Sequence, residues 1–231
     1  MKPFNKVLFL LLPLTILFTQ CDKISRKVNI PDGVFLNALI ERGVDTNGDG
    51  LISYAEAEAI HVLYVGGEVI IDMTGVEAFI NLDTLECGNN YLTNLDVSNN
   101  IALDYLGCGV NQLTSLDISN NAALTILRCG RNQLTSLSVS NNAALTTLRC
   151  GRNQLASLDV SNGTALTILR CGGNQLTNLD VSNNTALEEL HISDMPTLFE
   201  VCVWMMPFPP EGVDLRKEGS PNVTFTTECN K

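Results

Sequence analysis

"LTILRCGRNQLTSLSVSNNAA", residues 124–144, runs straight into "LTTLRCGRNQLASLDVSNGTA", residues 145–165, and the second stretch nearly copies the first. The spacing extends in both directions. Leu82, Leu103, Leu124, Leu145, Leu166 and Leu187 open units spaced by 21 residues, within which the pattern LxxLxCGxNQLxxLxVSNNxA recurs with few exceptions. A fixed period of this length marks stacked repeats, in which each unit packs on its neighbours. Each unit is itself two similar halves, LxxLxC and LxxLxV, and each half is followed by an asparagine.

The halves have the pattern of short strands. Leu85 with Cys87, and Leu95 with Val97, alternate with polar residues at a period of two, which turns one face of each segment inward. One unit alone buries too little apolar surface to offset the ordering of its backbone, so the units must share a core. The expectation is a right-handed parallel solenoid with two sheet faces. Asn90, Asn111, Asn132, Asn153 and Asn174 fall at one turn of every coil, where their amides satisfy exposed backbone groups. Gly88, Gly109, Gly130, Gly151 and Gly172 follow the first strand and are expected to supply backbone freedom there.

The pattern resembles the leucine-rich repeat family over residues 60–198, well over half of the chain. That resemblance implies a repeat solenoid with 21-residue coils and parallel β-sheet faces. It also implies recognition of a protein, a peptide or an acidic glycan through the strand face. Residues 62–82, "VLYVGGEVIIDMTGVEAFINL", resemble the irregular first coil of bacterial leucine-rich proteins.

Cys87, Cys108, Cys129, Cys150 and Cys171 point inward one above another. Rungs about 4.8 Å apart hold their side chains parallel, whereas a disulfide needs them aimed at each other. The column therefore reads as small buried hydrophobes. Of the eight cysteines, Cys202 and Cys229 are left as a pair in the non-repetitive tail. In an exported protein they can oxidise, and a disulfide there would close a C-terminal cap over the last coil.

"MKPFNKVLFLLLPLTILFTQC" places Lys2 and Lys6 before an apolar run at residues 7–18 that is too short for a comfortable membrane span and is interrupted by Pro13. It reads as an export signal. Its end resembles the lipobox of bacterial lipoproteins, with Phe18 and Gln20 departing from the usual residues, and implies diacylation of Cys21 after cleavage. The chain is then a lipoprotein of the bacterial cell envelope, at the outer membrane or cell surface, touching the membrane only through its anchor.

"DTNGDGLISYAE", residues 45–56, carries ligand chemistry of another kind. Asp45, Asn47 and Asp49 stand at loop positions 1, 3 and 5, Gly50 at 6, the Leu51 carbonyl at 7, Ser53 at 9 and Glu56 at 12. That spacing bends a loop around a hard cation and ends in a carboxylate suited to two-oxygen coordination. Phe35 with Leu39, Leu36 with Ile40, and "YAEAEAIH" after the loop supply helical flanks. The segment resembles an EF-hand, which implies structural calcium locking helices over the open edge of the solenoid.

The formal charge of −11 argues against nucleic acid as a general partner. Arg128, Arg131, Arg149, Arg152 and Arg170 are nevertheless concentrated on one face of three consecutive coils, beside Tyr105. Stacking Arg128, Arg149 and Arg170 one rung apart costs up to about 1 kcal/mol per neighbouring pair in water. Asp96, Asp117, Asp159 and Asp180 lie on the opposite sheet face and read as a solvated column. Guanidinium forks suit carboxylate, sulfate or phosphate, so these arginines with Tyr105 form the candidate ligand site. The competing reading is a tolerable surface arginine copied by duplication, its stem covering the strand.

Catalysis has little foothold. His61 and His191 stand far apart, and no GxSxG, HExxH or glycine-rich phosphate loop occurs. A non-enzymatic recognition module is the first expectation and a structural or adhesive envelope protein the second; an enzyme comes last. The organisation expected is an export signal at 1–20, an anchor or linker at 21–30, an EF-hand-like cap at 31–58, the solenoid at 59–198 and a C-terminal cap at 199–231.

Overall fold

The computed structural model describes residues 26–229. The stretch read as an export signal, residues 1–20, and Cys21 lie outside them. Eleven three-residue strands build two parallel sheets among the described residues. The larger takes one strand from each first half-repeat: β1 (Val62–Tyr64), β2 (Thr84–Glu86), β3 (Tyr105–Gly107), β4 (Ile126–Arg128), β5 (Thr147–Arg149), β6 (Ile168–Arg170), β8 (Glu189–His191) and β10 (Asp214–Arg216), in that order. Register is strict, with Leu85, Leu106, Leu127, Leu148, Leu169 and Leu190 in one buried column. The irregular first coil pairs Val62 with Thr84 and so joins the same ladder.

The second face is shorter than the half-repeat symmetry suggests. Only β7 (Asn178–Asp180), β9 (Glu200–Cys202) and β11 (Thr224–Thr226) form a ladder there, in the order β11-β9-β7. The corresponding segments of earlier coils bury Leu95 and Val97, Leu116 and Ile118, Leu137 and Val139, and Leu158 and Val160 without forming strands. Asparagine amides tie these coils instead.

Two asparagine columns run through the core. In the first, Nδ2 of Asn132 donates to the carbonyls of Cys108 and Cys129 at 3.0 Å each, and its Oδ1 accepts from Leu113 N at 3.0 Å. Asn111, Asn153 and Asn174 repeat the arrangement. The second comprises Asn100, Asn121, Asn142 and Asn184, all buried, each donating to carbonyls one coil back. Gly163 interrupts it. The Asp column on the second face makes turns: Asp96, Asp117, Asp159 and Asp180 each accept from the backbone N–H of the serine two residues on.

The repeated glycines act differently from the expectation. The left-handed conformation falls one residue later, at Asn89, Val110, Arg131, Arg152 and Gly173. What Gly109, Gly130 and Gly151 provide is close approach, because a Cβ on any of them would stand 2.9–3.0 Å from the carbonyl oxygen of the next coil's glycine. Stacking distance, not φ, excludes a side chain there.

The five repeat cysteines are fully buried and unpaired. Burial pushes the Cys150 thiol up to about 12, so the column stays protonated and packs as hydrophobe. Cys202 and Cys229 form a disulfide. The tail at 199–229 does more than cover the last coil, because β10 adds a rung to the large sheet and β11 adds one to the small sheet. Trp204, Phe208 and Phe225 pack together there, with ring centroids 5.3 and 5.0 Å apart.

At the other end, α1 (Gly33–Glu41) and α2 (Tyr54–Glu58) flank the acidic loop and bury Phe35, Leu39, Val44 and Ile52 against the first coil. Residues 26–30, within the stretch read as a linker, belong to this cap: Val28 N donates to the Ile52 carbonyl at 2.8 Å, and Lys27 bridges antiparallel to Ser53. Asp32 joins cap to solenoid. One carboxylate oxygen accepts from Val34 N and Phe35 N, and the other accepts from Ile71 N and Asp72 N. No helix among the described residues is long and apolar enough to cross a membrane.

Candidate functional site

In-register pairing fixes the outward face of the large sheet. Glu86, Gly107, Arg128, Arg149, Arg170, His191 and Arg216 form one column, in that order along successive strands. Just beyond the strand ends, the left-handed turn residues Val110, Arg131, Arg152, Gly173 and Asp194 form a second. Between the columns lies a groove of about 590 Å³ floored by Gly109, Gly130, Gly151 and Gly172. All five arginines singled out by the sequence line it. Tyr105 does not; it sits on the far side of Arg128, whose guanidinium stands 5.4 Å from its ring centre.

The arginines differ in company. Arg170 forks onto Glu189 of the next strand, with Nη2 3.0 Å from Oε2 and Nε on Oε1. His191 lies between Glu189 and Asp214, at 3.2 and 3.5 Å, and Arg216 closes this acidic–basic cluster at the end of the sheet. The column is thus neutralised at one end by its own face, a pairing that Glu189 makes by standing where Tyr105, Ile126, Thr147 and Ile168 stand in earlier coils. Tyr105 donates its hydroxyl to Glu86 at 2.6 Å, and burial together with that bond pushes it up to about 12.

Arg149 makes no such pair among the described residues, and feels Glu189 only through its charge. Its Nε is buried without an acceptor, and burial followed by the charges of Arg170 and Arg128 lowers its pKa from the ordinary arginine value. Arg131 and Arg152 are exposed and make no ion pair among the described residues. A strongly acidic chain therefore carries a localised positive groove, in which Arg131, Arg149 and Arg152 make no ion pair among the described residues. Arrays of unpaired guanidiniums take anions in forked hydrogen bonds.

The acidic loop has the bend its spacing predicts. Gly48 and Gly50 are left-handed, and their N–H groups donate to the two Asp45 oxygens at 2.8 Å each. Asn47 Oδ1 accepts from Asp49 N at 2.9 Å, and Lys27 pairs with Asp49. Glu56 stands at the mouth of the loop. Its Oε1 accepts from Thr46 N and Thr46 Oγ1 at 2.9 Å, and its Oε2 from Ser53 N and Ser53 Oγ at 2.8 Å, completing a capping box for α2. Burial raises the Glu56 pKa, but these donors outweigh it and hold the carboxyl at about 2. All of the loop's candidate ligands are hard oxygens, and they fit calcium in type and order. Binding there would exchange the Thr46 bonds and release Lys27. Elsewhere, Asp180, Cys202 and Cys229 group within 4.8 Å, but the disulfide takes both sulfurs.

His61 and Asp83 approach to 3.7 Å on an exposed rim. No protein-family model matches the chain, and no curated protein does. Solved structures do match. Internalin C2 of Listeria monocytogenes is 20% identical over 88% of this chain and 99% of that one, at a TM-score of 0.57. A leucine-rich repeat protein of Leptospira interrogans is 22% identical over 66% of this chain and 40% of that one, at 0.55. The ectodomain of the Arabidopsis thaliana receptor kinase GASSHO1/SCHENGEN3, in complex with CASPARIAN STRIP INTEGRITY FACTOR 2, is 19% identical over 61% of this chain and 20% of that one, at 0.53. The chain has a leucine-rich repeat fold. It spans well under two thirds of the Leptospira and Arabidopsis proteins.

Proposed function

We propose that this protein is an exported, lipid-anchored leucine-rich repeat module of the bacterial cell envelope. It binds an acidic protein or glycan ligand through the arginine groove of its strand face, without catalysis of its own. One observation carries the reading: Arg149, with a buried Nε lacking an acceptor, stands between two like charges in a chain of net charge −11. Arg149 is half-buried and holds its Nε away from solvent without engaging a carboxylate, whereas Arg170 is already taken by Glu189. The repeat fold supports a binding role, since solenoids present extended surfaces, and the Arabidopsis neighbour is itself seen in a complex. The Cys202–Cys229 disulfide suits an oxidising compartment, as the export signal and Cys21 require.

Calcium is proposed as a structural ion of the N-terminal cap, held by Asp45, Asn47, Asp49, Ser53, Glu56 and the Leu51 carbonyl. It would fasten the loop between α1 and α2. Such single extracellular loops bind in the range of about 0.1–1 mM.

The test is a binding screen of wild type and an Arg128→Ala, Arg149→Ala, Arg170→Ala variant against acidic and neutral glycans and acidic peptides. Retention of an acidic ligand by wild type, lost in the variant, supports the groove. Equal behaviour of the two proteins removes it and favours a structural or adhesive envelope role.

A further inference from the structure

Exposed apolar side chains gather at the end of the solenoid nearest Cys21. Val34, Val69, Ile71 and Tyr91 are 42%, 59%, 65% and 52% exposed, whereas among the described residues no large apolar side chain stands exposed between 111 and 198. Their backbones adjoin. The Asp32 carboxylate accepts from both Val34 N and Ile71 N. Asn90 Oδ1 accepts from Glu68 N and Ile70 N at 3.1 and 3.0 Å, and Tyr91 N donates to the Ile70 carbonyl at 2.9 Å. Val69 and Ile71 flank the fully buried Ile70, so both turn away from the core.

We propose that this patch rests in the interfacial layer of the bilayer that holds the Cys21 anchor, which extends the expectation of contact through the anchor alone; the inference rests on the reading of Cys21 as acylated. Chain length puts the patch within reach. Arg26 is fixed to the cap, its carbonyl accepting from Tyr54 N at 3.1 Å. Five residues separate it from Cys21, a span of at most about 18 Å. Cap and first coil are thus held close to the membrane surface, where a patch too weak to retain a free protein meets lipid at high effective concentration.

The chemistry of the patch suits that layer. Tyr91 offers an apolar ring with a polar tip, the kind of side chain enriched at membrane interfaces. Val69 is held at φ 68, in the left-handed region that β-branched residues disfavour, and its exposed side chain gains no burial within the fold in return. Neighbouring acids are occupied: Glu68 pairs with Arg42, Asp32 uses both oxygens on backbone N–H groups, and Asp72 accepts from Thr74. The chain's charge of −11 favours a zwitterionic surface over an anionic one. Arg128 lies three rungs beyond Val62, about 14 Å further along the axis, so the arginine groove points away from the lipid end.

The experiment couples the chain from Cys21 onward to a maleimide phospholipid in phosphatidylcholine vesicles. The repeat cysteines are buried and Cys202 is bonded to Cys229, which leaves Cys21 to react. Chemical coupling makes the result independent of acylation in the cell, which mass spectrometry of Cys21 reads separately. Tyr91→Trp reports contact through quenching by lipids brominated near the top of the acyl chain, and the wild type, whose one tryptophan is Trp204, supplies the distant control. The indole at position 91 is expected to lose about half of its emission, with Trp204 unquenched. A Val69→Asn, Ile71→Ser variant carrying the same reporter should lose the quenching while its melting curve shows a folded protein. Quenching unchanged in that variant, absent in its parent, or stronger at Trp204 would overturn the patch and leave the anchor in place. A cellular Cys21 free of acyl groups would overturn the anchor reading and, with it, the membrane contact.

Discussion

Arg170 and Glu189 form a forked ion pair across adjacent rungs of the large sheet, while Arg149, one rung earlier in the same column, has no acceptor. The pair marks where the positive groove stops. Removing its acid extends the groove by one coil, so Glu189→Gln is expected to raise affinity for an acidic ligand about fivefold, with folding stability changed by less than about 1 kcal/mol. Titration calorimetry beside thermal melting checks both numbers.

Asp32 connects two elements that are distant in sequence. Its loss uncaps α1 and removes the acceptor of the part-buried N–H groups of Ile71 and Asp72. Asp32→Ala is expected to cost about 3 kcal/mol in chemical denaturation. Asp32→Asn should cost less, because its carbonyl still accepts.

Acid should loosen the N-terminal cap before the solenoid. Glu56 is held at about 2 against an ordinary value of 4.5, a depressed carboxylate. Its contribution is therefore complete above about pH 4.5 and is lost as pH falls through about 2. Hydrogen exchange should show amides at 45–58 losing protection in that window, ahead of the Asn132 and Asn153 coils.

Val110 is a β-branched residue in the left-handed region, at φ 57, where neighbouring coils place Asn89 and Arg131. Val110→Asn is expected to stabilise the fold by about 1 kcal/mol. Gly130→Ala should do the reverse by about 2 kcal/mol, since its Cβ would meet the Gly151 carbonyl at 2.9 Å. Paired calorimetric scans decide both signs.

The coil repeat, its inward leucines, the cysteine column and the first asparagine column are all legible in the sequence because strict parallel register turns a 21-residue period into vertical columns. The second column, Asn100, Asn121, Asn142 and Asn184, carries the same signal in the second Asn of "SNN" and goes unread only because both asparagines there look like turn residues. The glycines are visible as a column, but whether they serve φ or stacking distance depends on where the next carbonyl lies. The five arginines are legible as one face. That Glu189 cancels one of them, and that Asp32 bridges cap to coil, rests on contacts made where the repeat breaks down, and a period cannot report its own exceptions.

The arginine groove is proposed as an anion site in which Arg131, Arg149 and Arg152 have no ion pair among the described residues. The most direct measurement is the salt dependence of binding to an acidic peptide or glycan retained in the screen, comparing wild type with the Arg128→Gln, Arg149→Gln, Arg170→Gln variant. A steep loss of affinity with salt in wild type, and a flat, weak response in the variant, is the predicted result. Matching affinities and matching salt slopes in the two proteins would contradict it.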